Sequence, residues 1–256
     1  MEPQGREIVL VHDGSPDSDI AATWAAREAS RRDGVVTVVA SSKSGAERVR
    51  QTLMRAGAPA VTVADAWSDG PDAAVRYARQ ASMLVVGSGG HGRLAQSLLD
   101  SADTRHPGHP LCPLVVVRPT RDTTAHRIVV GVDGSAASGR AVRFACRQAG
   151  PGQETVSVLL AACLGGLDGT VRSAVRDRRQ RVLEDVVGRG RSEFPAVGID
   201  GALVCTDPGR ALVDASSRAA LVVVGTRGLT ASESAVLGSV SRYVVHHAHA
   251  PVAVVH

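Results

Sequence analysis

Short β-branched runs alternate along this chain with segments whose apolar positions recur every three to four residues. In the first half the runs are Ile8–Val11, Val35–Ala40, Ala60–Ala64, Met83–Gly87 and Leu114–Val117. In the second they are Ile128–Val132, Val156–Ala161, Ile199–Val204, Ala220–Gly225 and Val252–Val255. Unbroken Val and Leu runs, without polar alternation, predict strands covered on both faces, as in a parallel sheet. Helical spacing is predicted over Ile20–Arg32, Ala46–Ala56, Asp72–Gln80, Gly139–Ala149, Val171–Gly188, Arg210–Arg218 and Ser239–His247. The alternation predicts an α/β chain with two tandem, doubly wound, five-stranded parallel sheets.

The halves also repeat in detail. Ile8-Val-Leu-Val-His-Asp13-Gly-Ser15 answers Ile128-Val-Val-Gly-Val-Asp133-Gly-Ser135, and Leu84-Val-Val-Gly87-Ser-Gly-Gly90 answers Val222-Val-Val-Gly225-Thr-Arg-Gly228. Asp13 and Asp133 lie 120 residues apart, whereas Gly87 and Gly225 lie 138 apart, so copy 2 holds 18 more residues between its first strand and its glycine turn. The stretch from Gly165 to Pro195 is the expected place for them. A repeat this long is a domain, and the expected domains are 1–120 and 126–256. The polar, proline-marked boundary Arg118 to His126 is short, so the domains are expected to pack as a pseudo-dimer. Pairing of their last strands, Val115–Val117 and Val252–Val255, would cover two apolar edges.

The chemistry gathers where strands end. Asp133 follows the first strand of copy 2 and Gly225 the fourth, which places both on the rim where open parallel sheets bind ligands. Gly225 and Gly228 permit close backbone approach and positive φ. Gly238-Ser239 opens the helix Ser239–His247, whose free amides suit a phosphate. Asp133 suits ribose hydroxyls or an amide of the neighbouring turn.

With these residues in view, the chain resembles a tandem universal stress protein. The nucleotide-binding members carry Gly-x2-Gly-x9-Gly-(Ser/Thr), matched here by Gly225, Gly228, Gly238 and Ser239. The resemblance implies a Rossmann-like fold of the adenine nucleotide α-hydrolase type and ATP bound in copy 2, with magnesium accompanying the ATP. AMP, ADP and a cyclic nucleotide cannot be told from ATP on these residues. It implies phosphates held by the turn Gly225, Thr226, Arg227, Gly228, Leu229 and by Ser239, Val240 and Ser241. Gly131 and Asp133 would sit at the sugar and base side, with Ala162 against adenine. Arg227 reads equally as a phosphate partner or a surface arginine, and Glu233 as solvent-facing.

Copy 1 departs from the pattern at its third glycine, where Asp100-Ser101 stands in place of Gly238-Ser239. A carboxylate beside a phosphate costs about 4 kcal/mol at 4 Å for an effective dielectric near 20. The stretch Ala102 to Pro110 adds a second acid and two prolines, which predicts a broken or missing helix there. Copy 1 is expected to be a structural partner.

Other classes are disfavoured. The net charge is +4, carried by 28 Arg and one Lys, and only two Phe, two Tyr and two Trp are present. That leaves almost no stacking platform for nucleic acid. The sequence shows no apolar run of membrane-spanning length and its start lacks a signal-peptide core, pointing to the cytoplasm. Cys112, Cys146, Cys163 and Cys205 have no zinc spacing and are expected to be small core residues. His106, His109 and Cys112, or His246, His247 and His249, invite a metal reading, but the adjacent histidines diverge on a helix and no acid stands nearby to orient them. Lys43, the only lysine, lies outside any Walker spacing, and no Gly-x-Ser-x-Gly elbow occurs. The expectation is a binding module with at most slow, incidental ATP hydrolysis and no catalytic residue. A nucleotide-free scaffold and an adenylate-handling enzyme are the alternatives. Dimerisation of two chains stays open.

Overall fold

A computed structural model describes residues 6–64, 74, 76–89, 112–120, 125–163, 165, 166, 168–226 and 237–256, with the backbone alone at 151–153. The chain forms two compact units, Met1–Pro119 and Thr120–His256. In the first unit, β1 (Glu7–His12), α1 (Pro16–Arg32), β2 (Val35–Ala40), α2 (Lys43–Arg55), β3 (Ala60–Val63), β4 (Met83–Gly87) and β5 (Leu114–Val117) follow in order. The second holds β6 (Arg127–Val132), α3 (Ala136–Gln153), β7 (Thr155–Ala161), α4 (Gly169–Glu193), β8 (Gly198–Val204), α5 (Pro208–Ser216), β9 (Leu221–Gly225), α6 (Ser239–His247) and β10 (Val252–Val255).

Each unit is a parallel sheet in the same order. The first runs β3-β2-β1-β4-β5 and the second β8-β7-β6-β9-β10. Register ties Ile8 to Val36 and Met83, and Ile128 to Val156 and Leu221. The chain winds outward from the first strand, then returns to its other side. The switch point therefore lies between β1 and β4, and between β6 and β9.

The Val-rich strands form because both faces are covered, and Ile8, Leu10, Val36, Val85, Val130, Val158, Val223 and Val254 have no exposed surface. The outer strands β3 and β8 are largely exposed. On α1, Ala21, Ala22, Ala25, Ala26 and Ala29 are fully buried, and these small side chains let the helix lie close on the sheet. Gly87 shows how close. A Cβ there would stand 2.7 Å from the backbone carbon of Asp17 and the nitrogen of Ser18.

Helix starts lie earlier than apolar spacing predicts, because caps set them. Ser15 accepts from the Ser18 amide, Ser135 from Ser138, Asp168 from Thr170 and Val171, and Asp207 from Arg210. Pro16 and Pro208 fit first-turn positions, where no amide is needed. α4 continues past Gly188, because tertiary contact overrides glycine's poor helix propensity: a Cβ at Gly190 would press on Ile199 at 3.1 Å. Most of the extra length of copy 2 falls in the expected stretch, Gly165 to Pro195, and the rest in β8 just beyond it. α4 has 25 residues where α2 has 13, and β8 has seven where β3 has four. Of the helix expected over Asp72–Gln80, Ala74 and residues 76–78 are helical; the rest is partly outside the described residues. Among the described residues no helix is long and apolar enough to cross a membrane.

Candidate nucleotide site on the second unit

The two motif halves that the sequence separates are held together by backbone. The Gly238 amide donates to the Thr226 carbonyl at 2.7 Å, and the Thr226 amide donates to the Val255 carbonyl at 2.9 Å. The Ser241 hydroxyl donates to the Gly225 carbonyl at 2.6 Å. Thr226 and Ser241 are buried while Ser239 is exposed. The start of α6 is thereby pinned to the carboxyl end of β9. Gly238 caps α6 in an extended conformation and, having no side chain, makes no side-chain cap bond of its own. The first-turn amides of Ser239, Val240 and Ser241 lack an intrahelical partner by position, and the helix dipole adds positive potential there.

The structure adds detail to two expectations. Gly225 does not have a positive φ. It is glycine because a Cβ would meet Ala137 Cβ at 3.0 Å and its backbone carbon at 3.1 Å, so the residue lets β9 touch the first turn of α3. Ser241 uses its hydroxyl hydrogen on the backbone, so it staples the motif and offers a ligand its amide and lone pairs. Gly131 likewise answers to packing, with a Cβ there only 2.7 Å from Leu212 Cδ1.

Asp133 lies on the same rim and binds its own turn. Its Oδ1 accepts from the Ser135 amide at 2.9 Å, and its carbonyl accepts from Arg179 Nη1 at 3.4 Å. Gly134 supplies the left-handed turn residue with φ 93°. Ala162, one step past β7, is buried and donates to the Val204 carbonyl at 3.0 Å. The structure thus gathers Gly131, Asp133, Ala162, Gly225, Thr226, Gly238, Ser239, Val240 and Ser241 at the carboxyl end of one sheet. Arg227, Gly228, Leu229 and Glu233 lie outside the described residues, as do Gly90, Asp100, Ser101 and the Ala102–Pro110 stretch.

Among the described residues, the corresponding rim of the first unit carries side chains that bind one another. Asp17 Oδ2 accepts from the Ser88 hydroxyl at 2.7 Å, and a Cβ at Gly89 would stand 2.5 Å from that oxygen. The same carboxylate supports the charge of Arg118, whose pKa burial lowers. Asp13 Oδ1 accepts from the Ser15 amide and hydroxyl at 2.9 and 2.6 Å. His12 is buried; its Nδ1 accepts from the Gly14 amide at 3.2 Å, so Nε2 carries the proton and donates to Asp19 Oδ1 at 2.9 Å. Three carboxylates thus crowd this rim, against Asp133 alone at the matching positions of the second unit, where Val132, Ala137 and Gly139 stand for His12, Asp17 and Asp19. Sequence reasoning placed Asp13 but missed Asp17 and Asp19. Laying the repeat residue by residue through α1 and α3 would have found them.

The other candidates separate by burial. Cys112 and Cys146 are buried, and burial pushes their thiols up to about 12 and about 11. Cys163 and Cys205 are exposed just past β7 and β8, contrary to the expected core role, because the rim ends the packed layer. His247 Nδ1 donates to the Tyr243 carbonyl at 2.8 Å, and the two rings stack with centroids 4.2 Å apart. His249 contributes its amide to Ser216 Oγ at 2.8 Å. His106 and His109 lie outside the described residues. Among the described residues no group of three or more His, Cys, Asp or Glu could hold a metal ion.

Comparison with known proteins places this geometry. The model of the universal stress protein family matches residues 124–256. A universal stress protein of Mycobacterium tuberculosis (strain ATCC 25618 / H37Rv) is 30% identical over 285 residues, with 96% of each chain covered. Another from that strain is 28% identical over 284 residues, covering 96% of this chain and 95% of its own. A solved universal stress protein structure from Archaeoglobus fulgidus DSM 4304 matches 98% of each chain with a TM-score of 0.64 at 16% identity, a likeness of fold. The chain belongs to the universal stress protein family.

Proposed function

We propose that the second unit is an ATP-binding module of a stress-response or signalling protein, taking one ATP per chain, and that occupancy biases its contacts with partners. The observation that carries this reading is the start of α6. It is a glycine-capped helix end without a side-chain cap, pinned by Thr226 to the carboxyl rim of β9. Every other described helix start is capped by its own Ser or Asp: Ser15, Ser42, Ser135, Asp168 and Asp207. A phosphate would supply the acceptor that α6 lacks.

In this reading the phosphates lie on the amides of Ser239, Val240 and Ser241 and on the turn from Gly225 to Leu229, with Arg227 as a counter-charge. The sugar lies near Asp133 and Gly131, and adenine lies against Ala162. Magnesium enters with ATP on the phosphate oxygens. The first unit, its rim occupied by Asp13, Asp17 and Asp19, serves as a structural partner. The module binds with at most slow, incidental hydrolysis, since the only lysine, Lys43, belongs to α2 of the first unit. Denaturing freshly purified protein and weighing the released small molecules by mass spectrometry tests the reading. An adenine nucleotide at no more than one per chain is expected. Protein that releases none, and takes up none from millimolar ATP, is the nucleotide-free scaffold instead.

A further inference from the structure

α4 does more than cover its sheet. Its carboxyl half packs on β8 and on the turn after β6: Gly190 meets Ile199, Leu183 and Val187 face Gly201, and Val182 faces Gly134. The Arg191 guanidinium donates twice to the Ile199 carbonyl, at 3.0 and 2.7 Å. β8 ends at Val204, yet α4 reaches back to Gly169. At 1.5 Å per residue, the stretch before Val182 extends about 20 Å beyond those contacts, and its residues are nearly all exposed. The shorter α2 gives the first unit no equivalent length. The added turns carry Arg172, Arg176 and Arg179, spaced i, i+4 and i+7 on one face. That face points to the ligand rim, since Arg179 donates to the Asp133 carbonyl.

A cavity of about 460 Å³ opens against this face, lined by Gly165, Gly169, Arg172, Ser173, Arg176 and Cys205. No acid is among these residues. A Cβ at Gly165 or Gly169 would meet nothing within 4 Å, so the floor is open. Asp168 stands beside the cavity with its carboxylate committed to the Thr170 and Val171 amides, which hold its pKa low. Arg172 and Arg176 bring two guanidinium groups to the cavity wall. We propose that this cavity is a second anion site on the rim of the second unit and that it takes a phosphate group. Two planar guanidinium forks and a serine hydroxyl match tetrahedral phosphate oxygens better than a single carboxylate. The volume suits a phosphorylated small molecule. Three strand spacings, about 14 Å, separate β8 from β9, so the site is distinct from the glycine cradle.

The phosphate could be that of a small free anion or of a ligand spanning the rim, and amide-resolved NMR of the full chain separates the two. Sodium pyrophosphate is titrated into the parent, into Gly238→Asp and into the double variant Arg172→Ala/Arg176→Ala, and ATP is then titrated into each. For a free-anion site, pyrophosphate shifts the Ser173, Arg176 and Cys205 amides in the parent and in Gly238→Asp. The double variant weakens that response at least tenfold. For a spanning ligand, ATP moves these amides in the parent but not in Gly238→Asp, and the double variant again loses the shifts. Both arginines are exposed, so an unchanged unfolding temperature of the double variant reports an intact fold. Amides that neither probe moves in the parent, or an undiminished response in the double variant, would overturn the site. A failure of ATP at the Gly238 cradle leaves the pyrophosphate result readable, so the two readings fail separately.

Discussion

Asp17 and Ala137 occupy the same place in two copies of one fold, a carboxylate on one rim against a methyl group on the other. In the first unit the carboxylate accepts from Ser88 and lies against Gly89. Asp17→Ala is expected to cost about 1–2 kcal/mol in urea unfolding, as a hydrogen bond to a charged group is lost, while ATP stoichiometry stays unchanged. The glycines ending β4 and β9 make a related contrast. A Cβ at Gly87 meets backbone at 2.7 Å, whereas one at Gly225 meets Ala137 at 3.0–3.1 Å. Gly87→Ala should therefore destabilise its unit by about 1–3 kcal/mol, and Gly225→Ala by less, read as shifts in unfolding midpoint. The spacing of these glycines was legible in the sequence. Their cause was not, since a glycine kept for a helix contact reads the same as one kept for a ligand until the neighbour is known.

Strands were the most legible elements, because burial on both faces leaves an unmistakable run of Val, Leu and Ile. β2, β4, β5, β10 and α6 lie where the pattern predicts them. Helix starts were less legible, because Ser15, Ser135, Asp168 and Asp207 are polar and break the apolar spacing that they in fact terminate. The cap on α4 has a pH signature. Hydrogen bonds from the Val171 and Thr170 amides depress the Asp168 pKa. A carboxyl depressed in the folded state contributes stability above its unfolded-state value and loses it as pH falls through the folded-state one. NMR protection factors at Thr170 and Val171 should therefore fall on acidification below the ordinary carboxyl range, and Asp168→Ala should show that loss already at neutral pH. Burial makes the thiols diverge in the same way. Native protein should give up Cys163 and Cys205 to a thiol reagent at pH 8, while Cys112 and Cys146 react only on unfolding.

The two units share strand order, turn chemistry and helix placement, yet they differ where a ligand would lie. The first unit satisfies its rim internally, through His12 with Asp19, Asp13 with Ser15, and Asp17 with Ser88. In the second, among the described residues, the start of α6 has a glycine cap and no side-chain cap bond. That asymmetry supports the binding reading, on which ATP hydrolysis is expected to fall far below the ~10 per second typical of enzymes. The central claim is one nucleotide cradle per chain, built around Gly238. Calorimetric titration of ATP into the parent and into Gly238→Asp addresses it most directly. One site per chain in the parent and no binding in the variant is the expected result. Two equal sites in the parent, or unaltered binding in the variant, would contradict it.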